Sequence, residues 1–338
     1  MQNRSAETMA QRRVLVTGAG GFIGRCTLAP LLARGFEVHA GVSVGTAAEA
    51  AAEPAREPAV AAKLLGAQVH AADLLDRAAS AELIARIAPS HLLHFAWIAK
   101  PGIYWTSPDN ARWLEASEAL LQAFIAAGGR RVAMAGTCAE YDWSQVALCV
   151  EATSPLCAPA AANTSAYVAC KLALHTRLAA AAQRHGLSAA WGRIFFQFGP
   201  HEARERLVSS VITNLLLGRE ALCTPGRQVR SFLHVADVGA AFASLLDSPL
   251  EGAVNIGSAE PISVAALCTR IAVRLGAESL LRLGARVAPA SEPELLLPDV
   301  RRLEQELGWR PRYTLDGALA DTIAWWRDAL ALPTGRAS

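Results

Sequence analysis

The amino-acid sequence predicts an α/β fold in which a doubly wound parallel sheet is accompanied by a smaller mixed α/β part. Two observations lead to this prediction. In the first half of the chain, short β-rich runs alternate with helical stretches, which is the pattern of repeated βαβ units. The β-rich runs are also continuously apolar, as expected for parallel strands that helices cover on both faces.

Six runs are predicted strands, and right-handed crossovers between them would build a Rossmann-type domain. They are RVLVT (13–17), FEVHAGV (36–42), AQVHAAD (67–73), HLLHFAW (91–97), RVAMAGT (131–137) and AAWGRIFF (189–196). Two long helices are predicted among them. One spans about 109–127 and opens with the capping sequence SPDN, and the other spans about 163–185, opening with NTS and ending at Gly186.

Beyond residue 196 the predicted helices become shorter, and we expect this part to lean over the carboxyl edge of the sheet. The predicted division is a disordered tail over 1–11, a dinucleotide-binding domain over 12–195 with 227–250, and a substrate-binding domain over 196–226 with 251–333. An Ala/Glu/Pro-rich tract at 46–62 is expected to form a loop or a loose helix.

Composition excludes several classes of partner. The 338 residues include 32 basic and 30 acidic side chains, for a net charge of +2, without a basic block, so neither nucleic acid nor a membrane surface is an expected partner. No apolar run approaches the ~18–20 residues that cross a bilayer, and the N-terminus lacks the apolar core of a signal peptide, so we expect a cytoplasmic location. Seven scattered cysteines without a C-x-x-C pair favour reduced thiols, and no metal site is expected.

The sequence VTGAGGFIG (16–24) follows the first strand and opens a helix. Gly18, Gly21 and Gly24 have the spacing of a dinucleotide-binding loop: the first allows a tight turn, the second lets a pyrophosphate approach, and the third packs helix on strand. Phe22 and Ile23 lie in the same loop. We therefore predict that these five residues contact a dinucleotide cofactor.

Residues at the ends of the second and third strands are expected to contact the adenosine part of that cofactor. An NAD site would carry a carboxylate at the end of the second strand, but this chain has Val42 and Ser43 there. A serine hydroxyl can donate a hydrogen bond to the 2′-phosphate of NADP. NADP(H) is therefore favoured, and NAD(H) is the alternative. Ser43 as a plain turn residue and Arg56 as a second phosphate ligand both stay open. Asp73 and Leu74 are expected at the adenine, with Asp73 equally suited to capping the next helix.

The stretch TSAYVACKLALH (164–175) places Tyr167 and Lys171 four residues apart, and so on one face of a helix. The chain has only three lysines among its 32 basic residues, so a lysine at this position needs a specific reason. An ammonium group beside a phenol favours the phenolate and lowers the tyrosine pKa toward the working range, and it can also donate to ribose hydroxyls. The pair predicts a catalytic tyrosine with an assisting lysine.

Several motifs follow one another in a fixed order, namely the glycine loop, HFAW, AGTCAEYD, Y-x-x-x-K, RIFFQFGP, RSFLHVADV, NIGS and LGWRP. In this order the chain resembles, from about residue 13 to 328, an extended short-chain dehydrogenase/reductase of the NAD-dependent epimerase/dehydratase type. The resemblance implies an enzyme that acts on a nucleotide-linked sugar. It also implies a homodimer, because the two long helices resemble the pair that forms a four-helix interface in that family.

The resemblance further implies that Thr137 hydrogen-bonds the reacting oxygen beside the Tyr167 hydroxyl. Sugar-nucleotide 4,6-dehydratases of the family carry an acidic pair, or at least a glutamate, in the two positions after this threonine. Here Cys138 and Ala139 occupy those positions, and Glu140 lies one place too late. Dehydration is therefore disfavoured. We predict NADP(H)-dependent reduction of a nucleotide-linked keto sugar, a 4-keto-6-deoxy sugar in particular; the alternatives are an epimerase with tightly bound NAD and a non-catalytic dinucleotide-binding sensor.

Residues near the carboxyl edge of the sheet are further candidates. His94 and Ala96 are expected near the nicotinamide ribose, although a strand histidine is more often packed in the core. Lys100, Tyr104 and Trp105 lie on a long loop after the fourth strand, where they could hold a sugar or a phosphate or where the aromatics could simply pack.

Two candidate substrate-binding residues are implied by the family resemblance alone. Phe196 occupies a position where the family usually has an asparagine that contacts the substrate, and Arg230 matches an arginine that reaches the substrate diphosphate. Arg204 and Arg206 could assist Arg230, but a solvated surface pair is the favoured interpretation for them.

Overall fold

A seven-stranded parallel sheet forms the centre of the protein. The computed structural model describes residues 12–43, 66–161, 164–289 and 292–331. The predicted tail at 1–11, the tract at 46–62 and Arg56 lie outside the described residues.

The strand order of the large sheet is β11-β7-β5-β4-β1-β2-β3, and every neighbouring pair is parallel. This confirms the predicted doubly wound sheet, because the order reverses between β1 and β4, where such sheets bind ligands. The strands are β1 Arg13–Thr17, β2 Glu37–Val42, β3 Gln68–Ala71, β4 His91–His94, β5 Arg131–Thr137, β6 Leu148–Cys149, β7 Ser188–Ile194, β8 Phe196–Phe198, β9 Ala221–Leu222, β10 Val229–His234, β11 Gly252–Ile256, β12 Pro261–Ser263, β13 Leu281–Arg282 and β14 Leu297–Pro298.

The helices begin and end close to their sequence signals. Ser165 caps the second predicted long helix by accepting a hydrogen bond from the Val168 N–H, and Gly186 ends that helix at φ 62°, a conformation that glycine adopts without strain. The α-helices are α1 Leu28–Ala33, α2 Arg77–Ile87, α3 Asp109–Ala126, α4 Ala166–His185, α5 Leu207–Leu216, α6 Val235–Leu246, α7 Val264–Leu275 and α8 Leu315–Ala329.

Two apolar clusters cover the two faces of the large sheet. One contains side chains of α1 and α6, and the other contains side chains of α2, α3 and α4. Val14, Leu15 and Val16 of β1 are fully buried between them. Burial on both faces explains why the strands are continuously apolar instead of alternating.

The smaller part is built on a three-stranded sheet, β12-β10-β8, with α5, α7 and α8 packed around a separate core. Its boundaries differ from the prediction. β11 joins the large sheet although it was assigned to the substrate-binding part, and β10 joins the small sheet although it was assigned to the dinucleotide-binding part. The predicted sixth strand also splits, because β7 ends at Ile194 and β8 begins in the other sheet. Strand partners are long-range contacts that local patterns do not specify.

Within the described part of the chain, none of the helices combines the length and the apolarity that crossing a bilayer requires. In the same ranges, no group of three or more His, Cys, Asp or Glu side chains is arranged to hold a metal ion. All seven cysteines are described, and none of them forms a disulfide.

A buried ion pair joins the end of β5 to β7. The Glu140 carboxylate, with no exposed surface, accepts hydrogen bonds from Arg193 Nε at 2.8 Å, from Trp191 Nε1 at 3.0 Å and from the Thr137 N–H at 2.9 Å. A carboxylate so fully engaged has a structural role.

Replacing this carboxylate tests how strongly the pair supports the fold. Glu140→Gln should lower the free energy of unfolding by about 3–5 kcal/mol, because it leaves the buried Arg193 charge uncompensated. Urea denaturation followed by circular dichroism measures the loss. Glu220→Gln is the matched control, since Glu220 pairs with Arg282 at the surface and its loss should cost less than about 1 kcal/mol. Equal losses in the two variants would contradict the assignment.

Candidate active site

A cavity of about 600 Å³ lies at the carboxyl ends of the large-sheet strands, between that sheet and the smaller part. Its lining combines the glycine loop after β1 with the segments that follow β4, β5 and β7, the first turns of α4 and part of β10. These segments are distant in the chain. They meet because parallel strands bring their carboxyl ends to one edge.

The glycine loop forms one wall of the cavity, and all five residues predicted there line it, together with Ala96. Gly18 has φ 67°, and a Cβ at this position would lie 2.9 Å from the Ala96 backbone nitrogen. A Cβ at Gly24 would lie 2.1 Å from the Gly18 carbonyl oxygen. The loop is therefore closed tightly on itself and on the segment after β4, and this bare backbone beside a cavity fits a dinucleotide.

Tyr167 projects from the first turn of α4 into the cavity and is surrounded by aromatic rings. Its ring meets Tyr104 edge-on at a centroid distance of 4.9 Å and Trp105 at 5.6 Å. The Trp105 carbonyl oxygen also accepts a hydrogen bond from the Tyr167 N–H at 3.2 Å. Both predicted loop aromatics thus line the cavity beside the phenol.

Burial raises the pKa of Tyr167 well above its ordinary value, while a hydrogen bond with the Thr137 side chain opposes this change. Thr137 ends β5, where its Oγ1 also accepts a hydrogen bond from the Ala139 N–H at 3.2 Å. The phenol is consequently protonated at neutral pH. This corrects the expectation that the Tyr167 pKa is brought down, because desolvation is the largest cause of the change and raises the pKa.

Lys171 is 4% exposed, and its Nζ donates a hydrogen bond to the Ala135 carbonyl oxygen at 3.0 Å. The same nitrogen lies 3.9 Å from the centre of the Trp97 ring and 6.0 Å from the centre of the Tyr167 ring. Burial lowers the pKa of Lys171 to about 7, and the negative charge of Glu140 opposes this change. The ammonium is therefore marginal at neutral pH and depends on its neighbours.

Trp97 is a neighbour that the sequence did not single out beyond its place in HFAW. Its Nε1 donates a hydrogen bond to Asn110 Oδ1 at 2.8 Å, and Asn110 in turn donates to the carbonyl oxygens of Tyr104 and Ser107. This buried amide locks the indole face against Lys171 and holds the aromatic loop in place. The only sequence signal was an amide near the start of a helix, which is common and unspecific.

Two residues that were predicted to contact cofactor or substrate lie outside the cavity lining. His94 is 3% exposed, with Nδ1 bonded to Thr17 Oγ1 at 2.7 Å and Nε2 to Ser117 Oγ at 2.8 Å, and burial lowers its pKa to about 3. Both ring nitrogens are occupied, which corrects the expectation of a cofactor contact. Lys100 is exposed and lies outside the cavity lining, at the start of the turn where its carbonyl oxygen accepts a hydrogen bond from the Tyr104 N–H. A contact of Lys100 with substrate stays a prediction.

The residues predicted for the adenosine end lie outside the lining of this cavity. Asp73 accepts a hydrogen bond from the Leu75 N–H at 3.0 Å, and Leu74 is 8% exposed and packs beneath α2. Asp76, not Asp73, caps α2. Ser43 is the last residue of its described segment. Contacts of Ser43, Asp73 and Leu74 with a cofactor stay predictions.

At the substrate end, Phe196 and Arg230 both line the cavity, with the guanidinium carbon 5.4 Å from the ring centre. Arg230 is 3% exposed and pairs with Glu292 at 3.2 Å. Arg206 is exposed, as the favoured interpretation has it, and it also lines the cavity, 5.6 Å from the Tyr104 ring centre. Arg204 lies outside the lining and near Trp326.

Glu202 is a cavity residue that sequence reasoning missed. It is 7% exposed, and its Oε2 accepts hydrogen bonds from the Ser209 side chain at 2.7 Å and from the Ser209 N–H at 3.3 Å. Burial raises its pKa to about 7. No local pattern marks it, because its environment is created by the packing of α5.

The chain is similar in sequence to a known family and to several known proteins. The model of the NAD dependent epimerase/dehydratase family matches residues 14–257. UDP-glucose 4-epimerase of Corynebacterium glutamicum is 28% identical over 331 residues, covering 89% of this chain and 92% of that protein. A dTDP-4-dehydro-6-deoxy-D-allose reductase from a Streptomyces species is 30% identical over 135 residues, covering 38% of this chain and 40% of that protein.

Structural comparison agrees with the sequence matches. The crystal structure of dTDP-glucose 4,6-dehydratase from Streptomyces venezuelae, with NAD bound, has a TM-score of 0.76 and 25% identity, covering 94% of this chain and 97% of that one. Other relatives match over shorter segments. The chain spans 35% of the length of UDP-glucuronic acid decarboxylase 1 from Xenopus tropicalis and 39% of that of UDP-glucuronic acid decarboxylase 6 from Arabidopsis thaliana.

The Trp97 ring should hold the ammonium of Lys171 in its charged form. Protonated Lys171 can donate to cofactor hydroxyls, so dinucleotide affinity should fall as pH rises through the pKa of Lys171. In Trp97→Leu, which lacks the attraction of the ring face, this fall should move to lower pH by about 0.5–1 unit. Cofactor titrations between pH 6 and 9 measure it.

Trp97→Phe serves as the control for that experiment. It keeps an aromatic face but loses the hydrogen bond to Asn110, so its midpoint should stay close to the wild-type one. If Trp97→Leu and Trp97→Phe moved the midpoint equally, the indole N–H rather than the ring face would be responsible.

Proposed function

The chain belongs to the NAD-dependent epimerase/dehydratase family, and on that basis we propose that it reduces the keto group of a nucleotide-linked 4-keto-6-deoxy sugar with NADPH. The observation that carries the proposal is the convergence of Tyr167, Thr137 and Lys171 on one cavity whose other wall is the glycine loop. The loop residues 18–24 and Ala96 would hold the dinucleotide, which supplies the hydride when bound.

Each of the three side chains has a defined task in this proposal. Tyr167 donates its proton to the carbonyl oxygen, a role that suits a phenol whose raised pKa keeps it protonated at neutral pH. Thr137 orients that oxygen through its hydroxyl. Lys171 places a positive charge near the oxygen as negative charge develops there, and it compensates the tyrosinate that is left behind.

The residues after Thr137 favour reduction over dehydration. Cys138 is buried, which raises its thiol pKa far above neutral, Ala139 cannot transfer a proton, and Glu140 is engaged by Arg193 and Trp191. Among the described residues at 138–140, none is placed to act as a second acid or base. Similarity to a 4-dehydro-6-deoxy sugar reductase supports the same reaction.

An epimerase that retains NAD is the second candidate function. The observation in its favour is the match to a UDP-glucose 4-epimerase over 92% of that protein. An epimerase keeps its cofactor through the catalytic cycle, so dinucleotide released by heat from the purified protein in stoichiometric amounts would support it.

Cofactor choice depends on the end of β2, where Val42 and Ser43 stand in place of a carboxylate. The related crystal structures were solved with NAD, but the hydroxyl of Ser43 can donate to the 2′-phosphate that distinguishes NADP. We therefore propose NADP(H), with NAD(H) as the alternative.

We also propose a cytoplasmic homodimer that associates through α3 and α4. These helices pack side by side, with Arg177 and Glu118 paired between them. Sedimentation as a monomer at micromolar concentration would remove the dimer from the proposal.

Removing the phenol hydroxyl should abolish turnover without affecting the binding of cofactor. Tyr167→Phe is expected to lower kcat at least a hundredfold, since it removes the proton donor. NADPH consumption with nucleotide-linked 4-keto-6-deoxy sugars measures turnover, and titration measures binding. Tyr141→Phe is a control, because the Tyr141 hydroxyl bonds Asn255 and Arg193 in the core. Unchanged biological activity in Tyr167→Phe would favour the sensor alternative.

Cofactor preference makes a second test. Cofactor-free wild-type protein should bind NADPH about tenfold more tightly than NADH if Ser43 donates a charge-assisted hydrogen bond to the 2′-phosphate. Ser43→Ala should reduce that ratio toward one, and Ser43→Asp should reverse it by restoring a carboxylate for the ribose hydroxyls. Tighter binding of NADH by the wild type would transfer the proposal to NAD(H).

A further inference from the structure

We propose that the turn after Thr137 forms an apolar wall that selects a methyl group on the carbon beside the reacting carbonyl, with Cys138 as the specificity-determining residue. This inference rests on the proposed function and deepens it, because a 6-deoxy sugar carries a methyl group where the parent sugar carries a hydroxymethyl group. Cys138 takes no part in proton transfer in this proposal and acts only on the choice of substrate.

Cys138 lies within electrostatic reach of both the proposed proton donor and the substrate end of the cavity. It follows Thr137 directly, lines the cavity and is 7% exposed. Its thiol interacts electrostatically with Tyr167 and with Arg230. The ring carbon beside a carbonyl is one bond away from it. A sugar whose carbonyl oxygen is bound by Thr137 and Tyr167 therefore brings a substituent of that carbon against the turn.

The polar groups of the turn are bonded within the protein. The Cys138 carbonyl oxygen accepts a hydrogen bond from Trp143 Nε1 at 2.9 Å, and the Ala139 N–H donates to Thr137 Oγ1 at 3.2 Å. The Glu140 carboxylate is buried in the ion pair described above. The side chains of Cys138, Ala139 and Trp143, which line the cavity here, therefore contribute thiol, methyl and indole surface.

The thiol of Cys138 is uncharged, because burial raises its pKa far above neutral. A neutral thiol is only a weak hydrogen-bonding group, and it packs like a small apolar side chain. Phe195 and Phe196 extend this surface, since both line the cavity and pack in the same apolar cluster as Cys138. The wall beside the reacting carbonyl is therefore apolar.

Such a wall distinguishes a methyl group from the groups that could replace it. A hydroxymethyl group placed against it loses hydrogen bonds to water without regaining them from the protein, which lowers affinity by about tenfold. A methyl group in place of hydrogen buries additional apolar surface, which raises affinity by about fourfold. The methyl group is consequently preferred over both.

The inference is tested by calorimetric titration of the protein saturated with reduced cofactor, which cannot oxidise the sugar. The ligands are UDP-linked and TDP-linked pyranoses that differ only in the group on ring carbon 5. This group is hydrogen in xylose, methyl in 6-deoxyglucose and hydroxymethyl in glucose. The wild type should bind the methyl ligand about tenfold more tightly than the hydroxymethyl ligand and about fourfold more tightly than the hydrogen ligand.

Three variants test whether Cys138 is responsible. Cys138→Ser supplies a hydroxyl that bonds the ligand hydroxyl, so the preference for methyl over hydroxymethyl should fall by at least about threefold. Cys138→Ala keeps the wall apolar and should keep the preference within about twofold of the wild-type value. Cys149→Ser is the matched control, because Cys149 is a buried cysteine of the same cluster that lies outside the cavity lining. Its preference should equal that of the wild type, and thermal melting verifies that each variant is folded.

Two results would overturn the inference while leaving a nucleotide-linked substrate in place. One is equal affinity of the wild type for the methyl and hydroxymethyl ligands, and the other is an equal change of preference in Cys138→Ser and Cys149→Ser. The proposed function fails in a different way. If none of the UDP-linked and TDP-linked sugars binds the wild type, the proposed substrate class is wrong, and the inference falls with it.

Discussion

The buried carboxylate of Glu140 is the interaction on which the rest of the site depends. It accepts hydrogen bonds from the Thr137 N–H, from Trp191 and from Arg193, and so joins the end of β5 to β7. Its negative charge also opposes the loss of the Lys171 proton. One carboxylate therefore holds a proposed catalytic residue in position and supports the charge of another. A buried charge can do this only because it is fully compensated by an arginine and surrounded by donors.

Desolvation is the second constraint, because it raises the pKa of Tyr167 and lowers the pKa of the neighbouring Lys171. Aromatic rings from the loop after β4 cover Tyr167 and exclude water, which raises its pKa. The same burial lowers the pKa of Lys171, and Trp97 and Glu140 counteract that effect. A protonated phenol beside an ammonium group that can be neutralised is an arrangement suited to donating a proton. The aromatic loop thus has an electrostatic role as well as a packing role.

Charged side chains at the substrate end of the cavity interact with one another. Arg230 is compensated by Glu292, while Arg206 lines the cavity near the Tyr104 ring and interacts electrostatically with Glu202. Glu202 adds a carboxyl group whose pKa is raised to about 7 by burial. The two ends of the cavity consequently differ in character, with bare backbone at the glycine loop and a mixture of aromatic and paired polar side chains at the other end.

Local sequence was sufficient to predict the doubly wound sheet, the two long helices with the NTS and Gly186 end signals of the second, and the glycine loop and Tyr167–Lys171 pair that line the cavity, because apolar runs, capping residues and i, i+4 spacing act within a few residues. The place of Thr137 beside Tyr167 was implied by the family resemblance instead. Only the tertiary structure decided the sheet that each of β10 and β11 joins, the burial of His94, the support of Lys171 by Trp97 and the pairing of Arg230 with Glu292. Each of these depends on contacts between residues far apart in the chain, and on the loss of water that accompanies them. Burial raises or lowers the pKa of a side chain and decides whether its charge is available to a ligand. The spacing of residues along the chain does not show these effects.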